Sequence, residues 1–124
     1  MSYSTPTPVI LPVLQKIKSA YLLWCGYYQA LAKTQRYSLG QKIDTLFIEI
    51  IEAVATASFL TRKEKLPYIR RAIQKLDTLK ILLMVLWEIK SLDNKKYSAL
   101  SIPLDEIGKM LGGWNGQLSK QNSP

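Results

Sequence analysis

Histidine is absent from this 124-residue chain, and cysteine occurs only once. Without histidine, a histidine-based catalytic triad is excluded, and so is the side chain that most often acts as a general base near neutral pH. A single cysteine excludes an intramolecular disulfide and a cysteine-only metal cluster. The sequence also has no glycine-rich phosphate loop. We therefore expect no catalytic residues, no metal and no cofactor, and a protein that is not an enzyme.

Long hydrophobic runs are also missing. The longest unbroken apolar stretch, residues 81–87, has seven residues, whereas a membrane-spanning helix needs about 20. The first 14 residues, MSYSTPTPVILPVL, show no basic segment followed by an apolar run, so they do not resemble a signal peptide. These observations predict a cytoplasmic protein that does not cross a membrane.

Acidic residues are few: nine Asp and Glu stand against 17 Lys and Arg, which gives a net charge of +8. So large an excess in a small domain favours a polyanionic partner. The densest run, RKEKLPYIRRAIQK over residues 62–75, has six basic residues and one acid. At about 100° per residue its cations oppose the apolar stripe of the same helix. The run predicts phosphate binding, with an ordinary solvated helix face as the alternative.

Apolar residues recur at helical spacing in four segments, near residues 9–31, 37–58, 62–90 and 95–111. The breaks between them are short, which is typical of antiparallel neighbours. The pattern predicts an all-α, up-down-up-down four-helix bundle. Its core is expected to include residues that follow this spacing on the first three helices: Ile17, Tyr21, Trp24, Tyr28, Ile43, Phe47 and Trp87. We expect the bundle to cover residues 9–114, with flexible tails over residues 1–8 and 115–124.

Local signals refine the helix ends. Thr61, followed three residues later by Glu64, predicts a capping box at the start of the third helix. Pro103 should kink the fourth helix or begin a new helical turn. The Gly-Gly pair at residues 112–113 predicts the end of the fourth helix, with Trp114 folding back onto its last turn.

The third helix has more apolar surface than a single bundle needs, because its second half is apolar on the outer side as well as the inner side. A helix that is apolar on all sides must pack against other elements on all sides, and we expect other copies of the chain to contact its outer side. The alternative is a rotated helix, whose outer residues would pack inside the bundle. We predict a homo-oligomer whose interface includes four outer residues of the third helix and two of the first: Ile81, Leu82, Val85, Ile89, Leu22 and Leu23.

Two motifs carry a resemblance to a known family. KTQRYSLGQKI, at residues 33–43, resembles the pattern K-x-x-R-Y-[ST]-L-G-Q-[RK]-I of the accessory variability determinants (Avd) of diversity-generating retroelements. IGKMLGGW, at residues 107–114, resembles that family's closing I-G-[RK]-M-L-G-G-W. Their order and separation agree over most of residues 9–114. The four-helix proteins encoded in ribosomal RNA intervening sequences share the basic loop and are an alternative family.

The resemblance implies a homopentameric, basic barrel that associates with the retroelement's reverse transcriptase and binds nucleic acid. Template RNA is the expected form of nucleic acid, and DNA or an RNA–DNA hybrid is the alternative. It would support mutagenic copying of the template RNA, while the polymerase chemistry belongs to the partner. A scaffold that binds only protein is the second hypothesis, and attachment to a membrane surface is disfavoured. Charge and resemblance together give these candidate contacts for nucleic acid or the partner: Lys33, Arg36, Lys42, Arg62, Lys63, Arg70, Arg71 and Lys75.

Overall fold

The computed structural model describes residues 10–121, which are helical apart from three short connections. The predicted tail over residues 1–8 lies outside the described residues. A short helical turn, Lys33–Gln35, leads into a π-helical turn, Arg36–Gly40, which runs directly into the second long helix. The four long helices are α1 (Ile10–Ala30), α2 (Gln41–Ser58), α3 (Arg62–Glu88) and α4 (Asn94–Gln121).

Each long helix packs against two others, so that the helices occupy the corners of a square in chain order. α1 contacts α2 and α4, and α3 contacts the same two helices, which places α1 and α3 diagonally opposite each other. The connections are too short for parallel neighbours, so successive helices run antiparallel. The predicted all-α four-helix bundle is confirmed. We call the end with the α1–α2 and α3–α4 connections the upper end, and the end with the α2–α3 connection the lower end.

An aromatic cluster packs between α1 and α2 in the core. Trp24 and Phe47 are fully buried and stack with their ring centroids 6.1 Å apart. Tyr28 also stacks on Trp24, with centroids 5.4 Å apart, and the ring centroid of Tyr21 lies 5.7 Å from that of Phe47. The spacing of these residues in the sequence predicted that they would pack in the core, and the structure confirms it.

Asp44 supplies the polar contact that this cluster requires, because a buried indole N–H needs an acceptor. The Trp24 indole N–H donates to the Asp44 carboxylate at 3.3 Å. Burial raises the pKa of the Tyr21 hydroxyl, and the neighbouring Cys25 and Asp44 raise it further. Asp44 and Cys25 therefore belong to the packing of α1 against α2.

Gly40 explains how the start of α2 can pass so close to the end of α1. A Cβ atom added at Gly40 would lie 2.9 Å from the Gln35 carbonyl oxygen, 3.0 Å from the Leu31 side chain and 3.1 Å from that of Tyr28. A larger residue would have to displace the Gln35 carbonyl of the preceding turn and press against the Leu31 and Tyr28 side chains. The glycine within the first motif therefore has a packing role.

The start of α3 matches its sequence signal. The Glu64 carboxylate accepts hydrogen bonds from the Thr61 hydroxyl at 2.6 Å and from the Thr61 backbone N–H at 3.4 Å. This is the predicted capping box, and it begins the helix at the expected residue.

The end of α3 is a Schellman motif with lysine where glycine is usual. The Ser91 N–H donates to the Leu86 carbonyl at 2.9 Å, and the Lys90 N–H donates to the Trp87 carbonyl at 3.0 Å. Lys90 adopts a φ of 66°, in the left-handed region that costs a residue with a Cβ atom roughly 1–2 kcal/mol.

We expect Lys90→Gly to stabilise the fold by about 0.5–1 kcal/mol, because glycine adopts this backbone conformation without a steric cost. Thermal or denaturant unfolding measures the change. Lys90→Ala is the matched control, since it removes the same charge and keeps the Cβ atom. An equal gain from alanine would show that the backbone conformation is not the cause.

The fourth helix corrects two predictions. α4 is continuous through Pro103, and it continues through the Gly-Gly pair to Gln121. Trp114 and Leu118 are buried on the stripe that Leu111 occupies. Burying such side chains contributes about 1.5–3 kcal/mol each, which outweighs the roughly 1 kcal/mol that a glycine costs inside a helix. The predicted helix end at residue 111 and the predicted tail boundary at 115 are therefore wrong.

Candidate nucleic-acid interface

The first half of α3 presents a row of cations to the outside of the bundle. Arg62, Lys63, Arg70 and Arg71 are all exposed. Seven helical residues separate Lys63 from Arg70, so the two lie within about 20° of each other around the axis, and Arg62 and Arg71 flank them at about 80–100° on either side. None of the four forms an ion pair with a carboxylate in the part of the chain that the structure describes. We call these four residues the α3 basic face.

Lys75 was predicted to extend this row, but its surroundings differ. Its ammonium lies 3.1 Å from the Glu49 carboxylate of α2, and both side chains are half-buried. A small groove of about 160 Å³ continues from this pair towards Glu52 and Arg71. The charge of Lys75 is therefore offset by Glu49, and the groove is lined by both cations and carboxylates.

The two central arginines lean to opposite sides of α3. The Arg70 guanidinium is 3.5 Å from the Ser119 hydroxyl of α4, beside the exposed Lys120. The Arg71 guanidinium lies 5.4 Å from the centre of the Tyr68 ring on its own helix. Together they widen the basic face, and Arg70 brings it up to α4.

Arg36, another predicted contact, lies at the upper end and has a structural role there. Its Nη2 donates to the Leu31 carbonyl at 2.9 Å and to the Gln29 carbonyl at 3.2 Å. These carbonyls belong to the last turn of α1 and the residue after it, where the helix leaves acceptors unpaired. The guanidinium thereby caps α1. The other predicted contacts at this end, Lys33 and Lys42, are exposed.

Replacing Arg36 by methionine is expected to destabilise the fold by about 1.5–3 kcal/mol, because the charged hydrogen bonds to the end of α1 are lost. Lys33→Met, at an exposed neighbouring position, should change stability by less than about 0.5 kcal/mol. Denaturant unfolding compares the two variants. Equal stability of both variants would contradict the capping role.

Lys65 shows that the lower end is less basic than its sequence indicates. Its side chain is 3% exposed, and its ammonium donates to the Ala57 carbonyl at 3.0 Å near the end of α2. The same ammonium lies 5.7 Å from the centre of the Trp114 ring. Burial lowers the pKa of this ammonium. Lys65 thus joins α2, α3 and α4 and is absent from the outer surface.

Two apolar patches lie on opposite sides of the bundle. Leu22 is 70% exposed and Leu23 is also exposed, both on α1. Ile81 is 56% exposed and Ile89 is exposed near the end of α3. Because α1 and α3 are diagonal, the α1 patch (Leu22 and Leu23) and the α3 patch face away from each other. The α3 patch consists of Ile81 and Ile89 with the half-buried Leu82 and Val85.

The structure also exposes apolar residues that the sequence analysis missed. Ile102 of α4 is 62% exposed and Tyr37, before α2, is 65% exposed. Trp87, which the spacing placed on the inner stripe, is 37% exposed at the upper end. An isolated apolar residue gives no periodic signal, so spacing alone could not identify Tyr37 and Ile102.

Other kinds of site find little support within residues 10–121. No group of three or more carboxylate or thiol side chains converges in this range. No helix there combines the length and apolar character needed to cross a bilayer. Comparisons with protein-family models, with curated proteins and with solved structures found no match to this chain.

Proposed function

We propose that this protein is a non-enzymatic, oligomeric accessory factor that binds the backbone of nucleic acid and assists a reverse transcriptase of the diversity-generating type. The observation that carries the nucleic-acid part is the α3 basic face. Its four exposed cations lack carboxylate partners among the described residues, so their charge is available to a polyanion.

The spacing of these cations suits a phosphate backbone. Seven residues of helix advance about 10 Å from Lys63 to Arg70, and one strand of nucleic acid carries a charge about every 3.4 Å. The row therefore follows about three nucleotides. No Asn, Gln or Arg cluster occupies the position of a recognition helix, so we expect contacts to phosphate with little sequence preference.

Self-association would multiply this surface. The α1 patch and the α3 patch differ in composition and lie on opposite sides of the subunit, which suits head-to-tail contacts that close into a ring. In such a ring the basic faces of successive subunits would form a continuous belt. The number five is an inference from the resemblance to the Avd family.

The link to a reverse transcriptase rests on the two motifs. The first forms the corner between α1 and α2, where Arg36 caps α1 and Gly40 permits the close approach. The second lies within α4 and ends at the buried Trp114. Both motifs occur in the order found in the Avd family. This supports a subunit that is equivalent to an Avd subunit and that has the same partner, a reverse transcriptase.

A salt titration of the isolated protein tests the nucleic-acid part. If one strand engages all four cations of a subunit, log K should fall with log salt at a slope of about −2.8. Affinity for single-stranded RNA or DNA should then fall about 50-fold between 50 and 200 mM salt. Fluorescence anisotropy of labelled oligonucleotides measures it, and unrelated sequences should behave alike. Binding that is insensitive to salt would contradict the proposal.

A scaffold that contacts only protein is the second candidate, and the groove beside Lys75 favours it. Glu49 and Glu52 lie there among the cations and would repel phosphate. Such a mixed surface is suited to a protein partner with complementary charges. A gel shift of the isolated protein separates the two candidates, since this second candidate predicts no shifted band.

A further inference from the structure

An open cleft of about 580 Å³ lies at the upper end, between the end of α3 and the start of α4. It is distinct from the α3 basic face, which begins near the lower end. Neither the distribution of charge in the sequence nor the family resemblance indicates a role for this cleft. Its walls are formed by Trp87, Glu88, Lys90, Leu92, Asp93 and Asn94.

The indole ring of Trp87 is held rigidly in this cleft. Tyr97 of α4 stacks on one face of the ring, with centroids 5.0 Å apart and planes 12° from parallel. The indole N–H donates to the Asn94 side-chain oxygen at 2.7 Å. With one face covered and the N–H satisfied, the exposed 37% of the side chain lies on the cleft side. The ring is a preformed platform for a flat group.

The electrostatics of the cleft oppose those of the chain as a whole. Glu88 has no hydrogen bond or ion pair within residues 10–121, so its carboxylate is free to accept. Asp93 caps α4 by accepting the Lys96 backbone N–H at 2.8 Å through Oδ1, which leaves Oδ2 available. The carbonyl end of α3 adds partial negative charge and the N–H end of α4 adds partial positive charge, so the two helix ends offset each other and the carboxylates decide the sign. Only one lysine, Lys90, lines the cleft.

We propose that this cleft binds an arginine side chain presented by a partner polypeptide. A guanidinium is flat, stacks on tryptophan through a cation–π contact, and donates several hydrogen bonds from one plane. The exposed face of Trp87 offers the stack, while Glu88 and Asp93 offer the acceptors. A compact ammonium would use the charges but would lose the stacking. The two carboxylates disfavour a stacked base with its phosphates.

Trp87 stays accessible if the subunits associate through the predicted interface, because it lies at least about 120° around α3 from each residue of the α3 patch, on the side that faces α4. Glu88 lies about 20° from Ile81 around the axis and two turns further along, so it borders the patch. A second copy that covers the patch would therefore leave the ring of Trp87 open. Because the cleft is open, a free small molecule bound there would keep most of its own surface in water. A side chain presented by a polypeptide is therefore the better ligand.

The experiment titrates the intact protein with the peptide acetyl-Gly-Arg-Gly-amide and follows the three tryptophan indole N–H signals by NMR. Trp87→Phe identifies the Trp87 signal. We expect this signal to shift saturably with the arginine peptide, less with the lysine peptide, and not with the citrulline peptide, which is an uncharged analogue of similar shape. Signals of the buried Trp24 and Trp114 should stay in place.

Glu88→Gln removes one acceptor charge with almost no change of shape, and it should weaken binding of the arginine peptide at least fivefold. Glu52→Gln is the matched control, because Glu52 is exposed on α2 away from the cleft; it should bind as the unmodified protein does. Equal weakening by both variants would reduce the effect to general charge and overturn the proposal. Binding of the citrulline peptide as tight as that of the arginine peptide would also overturn the proposal. The same holds if a single-stranded oligonucleotide shifts the Trp87 signal and the arginine peptide does not.

Discussion

Charge reversal at the centre of the α3 basic face, Arg70→Glu with Arg71→Glu, is expected to weaken binding to single-stranded nucleic acid roughly 100-fold. Each substitution removes one charge-assisted contact of about 1.5 kcal/mol and adds a repulsion. The salt dependence should also become shallower, by about 1.4 units of slope, since two phosphate contacts are lost. Fluorescence anisotropy at several salt concentrations measures both effects.

The matched control reverses the charge of two exposed lysines elsewhere on the surface, Lys18→Glu with Lys95→Glu. Both double variants lower the net charge from +8 to +4, but the control leaves the α3 basic face intact. We expect the control to weaken binding less than tenfold. Neither pair should lose helicity by circular dichroism, because the substituted side chains are exposed. If the two pairs weaken binding equally, net charge alone governs the affinity and the basic face has no special role.

The fold followed from the sequence because buried positions recur at the helical period. Ile17, Trp24 and Ile43 were placed in the core from spacing alone, and all three are buried. The end of α4 did not follow, because a Gly-Gly pair commonly ends a helix, whereas here the apolar stripe continues past it. Trp114 and Leu118 continue the spacing of that stripe, so the signal was present beyond the glycines.

The candidate site was harder to predict than the fold, because a sequence gives the position of a charged residue in the chain and not the group that it contacts. Lys63 and Lys65 are two residues apart, yet one is exposed and the other is buried against the Ala57 carbonyl. Arg36 and Lys75 were expected to be free, but they bind the end of α1 and Glu49, respectively. These partners lie on other helices or on the preceding corner, and only packing brings them within reach.

The same limit explains the cleft at Trp87. The helical period assigned this residue to the inner stripe, and its ring does stack on Tyr97 of α4. However, α3 ends at Glu88, so no further turn covers the other face of the ring. Helix ends create such half-covered side chains, and their exposure depends on the exact position of the neighbouring helix.

Leu22→Glu or Ile81→Glu is expected to convert the predicted oligomer into monomers. Either change places a charge in an apolar contact, which loses about 1.5–3 kcal/mol of burial and adds the cost of desolvating a carboxylate. Light scattering at micromolar concentration measures the mass. Gln74→Glu, an exposed position outside both patches, changes the charge equally and should leave the assembly intact.

Mixing the two monomeric variants tests the head-to-tail arrangement itself. A subunit with Leu22→Glu keeps its α3 patch, and a subunit with Ile81→Glu keeps its α1 patch, so an equimolar mixture retains one sound junction per pair. We therefore expect dimers and no larger species, because each dimer has a damaged patch at both free ends. A two-fold interface, in which each patch meets its own copy, predicts no such dimer of the two variants. Monomers throughout the mixture, or an unmodified protein that is itself monomeric, would contradict the ring.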